Sequence, residues 1–301
     1  MKLIIKKAVL IVILLVVIII FVYIEKSDMK YYSNIVTKPT YRSTNNLYKN
    51  NSLLESFSSN NEKTNVLDKI DKILFINLEH RKDRLEQINK EFDKMNFPKN
   101  KIERIDAVNE KYNGHIGCCK SHIKTMKNII KNNYKYTLVF EDDFVFKVDK
   151  NTFNKKVSQF LKDYKDDWDM IQLASGYVST EDTDNDDVKK VNHSSTSSAY
   201  IINKHFAPIL LDDLETSLSL MKKDMEEYIR KNNNVMKKKF NTQYALDQRW
   251  YKLQKKSKWY LFKPYLGRQG GEASKSSILN KKIEGFSASK RYRVSMFKLA
   301  C

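Results

Sequence analysis

The chain has 301 residues, 55 of them basic and 36 acidic, for a formal net charge of +19. That length suits one domain of ordinary size with appendages, and the charge suits a polyanion, a membrane surface or an anionic substrate. Cys118 and Cys119 are adjacent and Cys301 stands apart, which excludes a disulfide framework. No zinc-finger spacing, RNP-like segment or basic heptad array is present, so the reading is of no nucleic-acid partner.

Ala8 to Ile24 is an unbroken apolar run of 17 residues. As a helix it spans about 26 Å, near the lower limit for crossing a bilayer. Lys2, Lys6 and Lys7 precede it, and Glu25, Lys26, Asp28 and Lys30 follow with nearly balanced charge. The positive-inside rule then makes residues 1–7 a cytoplasmic tail and residues 8–24 a transmembrane signal anchor in the lipid bilayer. The rest lies on the lumenal or exoplasmic side of a single-pass type II membrane protein. No small-x-small cleavage site follows Ile24. Residues 25–70 are Asn, Ser, Lys, Thr and Tyr without sustained apolar period, and read as a stem.

A folded domain over residues 71–279 opens with the apolar strand Lys72–Leu78 and a charged turn, Glu79–Arg84. Leu85, Ile88, Phe92 and Met95 then share one helical face. Lys101–Val108 is a second strand, Gly114–Gly117 a break, and Cys118–Asn132 a helix with Ile123, Met126, Ile129 and Ile130 inward.

Tyr136–Phe140 is β-branched and aromatic, a short buried strand that stops on three acids, Glu141, Asp142 and Asp143. Carboxylates at the end of a buried strand cost several kcal/mol or take up protons unless paired. At the carboxyl end of a strand in an open α/β sheet they sit where ligands bind. As hard oxygen ligands they suit Mn²⁺ or Mg²⁺ held against a phosphate. The competing reading is a solvated acidic turn.

A helix follows over Thr152–Lys162 and a strand over Trp168–Leu173. Ser179–Ser198 reads as a solvated surface loop with acids crowding its first half, Ala199–Ile202 as a strand, His205–Asn232 as helical, Asn241–Lys256 as a helix, and Trp259–Pro264 as a late strand. Residues 280–301 form a basic C-terminal tail. Strands alternate with helices, so the class is α/β with a largely parallel sheet. No GxGxxG or Walker loop occurs, so a bound nucleotide would rely on a metal at the acidic strand end in place of a glycine-rich phosphate cradle.

Several segments, in order, resemble the family twenty-five glycosyltransferases, which include bacterial lipooligosaccharide and procollagen galactosyltransferases. Phe75–Arg84 is similar to the opening "INL…R…R" piece and Arg104–Ala107 to "R-x-x-A". Gly114–His122 is similar to "G-x-x-G-C-x-x-S-H", and Val139–Asp143 to the "L-E-D-D" strand end. Ala199–Ile202, Asp247 with Trp250, and Pro264–Gln269 followed by Ser274–Ile278 resemble the later pieces. Lys275 departs from the closing pattern, where an acid is commoner.

The resemblance covers Lys72 to Ile278. It implies a single Rossmann-like nucleotide-diphosphosugar transferase domain of the GT-A type behind the N-terminal transmembrane helix. It also implies a UDP-sugar donor carrying galactose or glucose, a divalent cation, and a glycan, glycolipid or collagen-like protein acceptor. A catalytically inactive sugar- or nucleotide-binding scaffold on the same fold is the alternative.

Within that frame Asp143 is the first metal ligand, and Glu141 binds metal or ribose. Asp142 faces the donor or turns to a basic neighbour. Asn77, Arg81 and Arg84, at the end of the first strand, bind the donor, Arg84 through a bidentate fork to phosphate. Ser121 and His122 stand in the first turn of a helix, whose N–H groups favour an anion. An inverting transfer needs a carboxylate to take the acceptor's proton; Asp247, flanked by apolar residues, is the candidate base. Trp250 and Gln269 lie on the acceptor side, Trp250 as a platform for a sugar face.

Overall fold

The computed structural model describes residues 65–110, 113–232 and 242–270. The cytoplasmic tail, the signal anchor, most of the stem and the basic tail expected from the sequence lie outside those residues.

Among the described residues, ten strands and six α-helices follow in chain order. β1 (Lys72–Asn77), α1 (Lys82–Lys94) and β2 (Ile102–Asp106) come first. Then come α2 (Gly114–Asn132), β3 (Tyr136–Glu141), β4 (Phe144–Phe146), α3 (Lys150–Tyr164) and β5 (Met170–Gln172). β6 (Val178–Asp182), β7 (Val188–Ser194), β8 (Ala199–Asn203) and α4 (Ala207–Asn232) follow. The described chain closes with α5 (Leu246–Arg249), α6 (Tyr251–Gln254), β9 (Trp259–Phe262) and β10 (Gly267–Gln269).

Eight strands form one sheet in the order β2-β1-β3-β8-β5-β9-β7-β6. β1 pairs in parallel with β2 and β3, and β5 with β9. The other four neighbours are antiparallel, so the fold is mixed α/β. Successive strand residues face opposite sides. Ile73 and Phe75 of β1 and Leu138 and Phe140 of β3 enter one core with Ile88 and Phe92 of α1 and Phe153, Val157 and Phe160 of α3. Leu74, Ile76 and Val139 enter a second core with Ile123, Met126 and Ile129 of α2 and Leu210 and Leu214 of α4. The result is a sheet covered by helices on both faces. That is why β1 and β3 read as continuous apolar runs.

Packing starts before β1. Val66, Leu67 and Ile70 are buried in the first core, inside the segment that composition reads as stem. At the other end of β3, Phe140 and Phe144 flank the three acids with ring centroids 5.1 Å apart, and Phe140 also meets Phe92 at 5.4 Å. Each such ring, fully buried, contributes about 1.5–3 kcal/mol, which anchors the acidic turn on both sides. β10 pairs antiparallel with β4, with Gln269 opposite Phe144. Only glycine fits at position 267: a Cβ there would lie 2.1 Å from the Phe144 ring.

Three expectations change. Residues 179–198 are not a solvated loop; they hold the hairpin β6–β7 and then a buried run, Ser194–Ser198. Thr183 caps the hairpin turn by donating to the Asn185 and Val188 carbonyls, at 3.0 and 2.7 Å, which composition alone does not reveal. The helix expected over 241–256 is two short turns, α5 and α6, because both fold around the buried Trp250. Finally, no helix among the described residues is long and apolar enough to cross a membrane, so the reading as a type II membrane protein is corrected: the structure does not support it. The longest, α4, carries Asp212, Asp213, Glu215 and Lys222. The run Ala8–Ile24 lies outside the described residues.

Candidate active site

The site gathers at the carboxyl ends of β1 and β3, the position that open α/β sheets leave for ligands. β3 runs out at Glu141, and Asp142 and Asp143 make the turn into β4. Each acid meets different neighbours. Asp142 is held by Asn77, whose Nδ2 donates to Oδ2 at 2.8 Å, and by Arg84, whose guanidinium donates to Oδ1 at 2.8 Å. Arg104 locks Asn77 from behind, donating to its Oδ1 at 3.1 Å. Burial raises the Asp142 carboxyl even against Arg84 and Asn77.

Glu141 receives His122 Nε2 at 3.2 Å and the Ser197 hydroxyl on the same oxygen, Oε1. Burial pushes this carboxyl up, but His122, Ser197 and Arg84 together bring it below the ordinary glutamate value. His122 is fixed at its other nitrogen, with Nδ1 3.0 Å from the Tyr200 hydroxyl.

Asp143 has the poorest supply of partners. Its Oδ2 lies 3.3 Å from Arg84 and 3.5 Å from Gln269, while Oδ1 is buried with no hydrogen-bond partner. Burial, with the charge of Glu141 beside it, pushes its carboxyl up to about 7. Gln269 Nε2 also reaches Glu141 Oε2 at 3.4 Å, so one amide spans both acids. An orphaned carboxylate oxygen next to a second carboxylate is a donor set for a hard cation. Asp143 and Glu141 therefore fit Mn²⁺ or Mg²⁺.

Asp247, at the start of α5, joins the cluster through the run before β8. The Thr196 backbone N–H donates to Asp247 Oδ2 at 3.1 Å, and the next residue, Ser197, holds Glu141. Thr196 has φ 71°, left-handed backbone that a β-branched residue rarely adopts. Strain of this kind persists where surrounding contacts over-determine it, here with the Thr196 carbonyl accepting from Gln172 at 2.9 Å. Burial raises the Asp247 carboxyl, and the charge of Glu141 adds to it, against the pull of the Thr196 N–H and of His115. Arg249, a sequence neighbour, does not pair with Asp247; it bonds Asp213 at 2.8 Å.

Several expected roles are corrected. α2 begins at Gly114, where Asn113 caps it by accepting from His115 N at 3.0 Å, so Ser121 and His122 lie two turns inside the helix. Their backbone N–H groups cannot hold an anion. Ser121 instead accepts from Val108 N at 2.8 Å and donates to the Gly117 carbonyl at 2.7 Å, tying α2 to the segment after β2. Gly117 allows that approach, since a Cβ would lie 2.5 Å from the Val108 carbonyl.

Arg84 is buried against Asp142 and Asp143 and not set toward a phosphate. Arg81 forks onto Asp83 at 2.9 and 2.7 Å, with its charge still felt at Asp142 and Asp143. Trp250 offers no sugar platform: it is 1% exposed, donates to the Ser194 carbonyl at 2.8 Å and packs edge-on against Trp259 at 4.9 Å. Gln269 stands on the acids themselves.

Sequence reasoning passed over Ser197, Thr196, His115 and Tyr200. The Ser194–Ser198 run, five hydroxyl residues directly before an apolar strand, was the available signal. A solvated loop has no need to abut a core strand in that way.

The description "Glycosyltransferase family 25 (LPS biosynthesis protein)" matches residues 112–258. That span contains α2, the acidic turn, the hydroxyl run and Asp247. No curated protein sequence matches the chain. Among solved structures, A197 from STIV is 13% identical, covering 72% of this chain and 98% of that one at a TM-score of 0.36. A glycosyltransferase involved in glycosylation of the major capsid of PBCV-1 is 8% identical, covering 64% and 92% at 0.33. UDP-glucose pyrophosphorylase complexed with UDP-glucose is 12% identical, covering 75% and 81% at 0.37. These likenesses are too distant to carry residue-level argument.

Proposed function

We propose that this chain, whose residues 112–258 match the glycosyltransferase family 25 description, is a glycosyltransferase that moves a hexose, galactose or glucose, from a UDP-sugar to a glycan hydroxyl. The transfer is metal-dependent and inverting on a GT-A type fold. The family's description points to a glycan of the lipopolysaccharide kind as acceptor.

The observation that carries this reading is the buried, unpartnered Oδ1 of Asp143 beside Glu141. Two carboxylates there would hold Mn²⁺ or Mg²⁺, which when bound offsets charge on the departing diphosphate as a Lewis acid. Arg84 and Asn77 take up both oxygens of Asp142 and hold it apart from the pair. Gln269 bridges Glu141 and Asp143 and keeps them converging. Asp247 takes the proton of the acceptor hydroxyl. Its raised pKa brings it nearer the range in which a carboxylate works as a general base, and the Thr196 N–H fixes its Oδ2 meanwhile.

The test is UDP release by the full chain with Mn²⁺ across a panel of UDP-sugars, with and without a chelator. Release should occur from one donor, fall to background with chelator, and drop at least about a hundredfold in Asp143→Ala, as for loss of one preorganised charge-stabilising group. Chelator-insensitive release, or full activity in Asp143→Ala, would overturn the metal assignment.

A further inference from the structure

Next to the hard oxygen pair stands a different donor set. Cys118 and His122 are one helical turn apart on α2 and so lie on one face. Both point at Glu141: Cys118 Sγ is 4.0 Å and His122 Nε2 3.2 Å from Glu141 Oε1. One ligand atom from each of the three residues falls within 4.8 Å of the others. Tetrahedral zinc, with bonds of about 2.0–2.3 Å, sets its ligand atoms about 3.3–3.8 Å apart. The observed separations need only small side-chain shifts to reach that. The second nitrogen of His122 is already fixed by the Tyr200 hydroxyl at 3.0 Å, the outer support that metal-bound histidines use.

We infer that Cys118, His122 and Glu141 form a second cation site, selective for a soft divalent ion of the zinc class, which competes with the hard-cation site for Glu141. Thiolate, imidazole and carboxylate make a mixed set that favours zinc over manganese or magnesium. On binding, the Cys118 proton leaves to solvent, His122 and Ser197 lose Glu141 Oε1 as a partner, and three protein ligands leave a fourth position for water. Glu141 drawn to the zinc is no longer available beside Asp143. Zinc occupancy therefore switches the enzyme off. The binding half stands on geometry alone; the switching half rests on the transferase reading above.

Co²⁺ is the probe for binding. The metal-stripped full chain should show a thiolate-to-cobalt charge-transfer band at one equivalent. The band should vanish in Cys118→Ser, weaken at least about tenfold in affinity in His122→Gln, and survive in Asp143→Ala. No band in the wild type, or a band that persists in Cys118→Ser, overturns the site. For the switch, Zn²⁺ should inhibit Mn²⁺-dependent UDP release, with the midpoint raised at least about tenfold in Cys118→Ser. Equal inhibition in both proteins overturns the competition. If the wild type releases no UDP at all, the transferase reading fails while the cobalt spectrum still decides the site.

Discussion

Two stretches of this chain crowd carboxylates, Glu141–Asp143 after β3 and Glu181–Asp187 across the β6–β7 turn, and they end in opposite environments. In the hairpin, Asp182 is 92% exposed and meets Lys189 at 3.2 Å. Asp187 pairs with Lys156, and Glu181 accepts from Asn192 at 2.9 Å. Glu181, Asp182, Asp184 and Asp186 are all exposed to water. In the turn after β3, two phenylalanines and the sheet exclude water, and three acids share Arg84, Asn77, His122, Ser197 and Gln269. One oxygen is left over. The contrast shows that enclosure, together with an incomplete set of partners, makes a carboxylate chemically poised. Acid count alone does not.

Three experiments bear on that contrast. The largest effect is expected from Arg84→Met, which leaves Asp142 buried with Asn77 alone. Breaking a buried pair from one side costs about 3–5 kcal/mol, read by denaturant unfolding. Adding Asp142→Asn should recover most of that loss in a double-mutant cycle. A loss comparable to a surface pair would show the turn to be as solvated as the hairpin.

Asp247→Asn should come next, lowering kcat/KM roughly a hundredfold. The pH profile sharpens the test. The base acts as a carboxylate, so wild-type kcat/KM should rise with pH. Because burial raises Asp247, the ascending limb should lie above the ordinary aspartate range, near 4. With Mn²⁺ saturating, so that the raised Asp143 carboxyl is held as a carboxylate throughout, that limb should be absent in Asp247→Asn; a limb that stays would move the base to another residue.

The smallest effect belongs to the hairpin. Asp182→Asn with Asp184→Asn should shift Tm by less than about 2 °C, leaving UDP release unchanged. A marked loss of activity would put the hairpin in the site and dissolve the distinction.

Much of the frame was legible before folding. β1 and β3 stand out because they are buried on both faces and contain little but apolar residues. The acids after β3 stood out for the opposite reason, as charges where a core strand should end. The apolar flanks of Asp247 foretold its burial, which the raised carboxyl reflects. Trp250 misled because a tryptophan near a candidate base suits a stacking platform as well as a core; only its contacts with Trp259 and the Ser194 carbonyl separate the two. The start of α2 was misplaced because Gly114 and Gly117 weaken helix propensity. Asn113 and the close approach to Val108 outweigh that weakness.

The sequence by itself determined the α/β class and the strand that ends in acid, because period and residue type are local properties. Tertiary structure decided which acid is spent and which is left over. Arg84 comes 58 residues before Asp142, and Ser197 comes 56 residues after Glu141. No local pattern encodes such pairings. They exist because helices on both faces of the sheet exclude water from the end of β3, and each charge there must take whatever partner the fold brings.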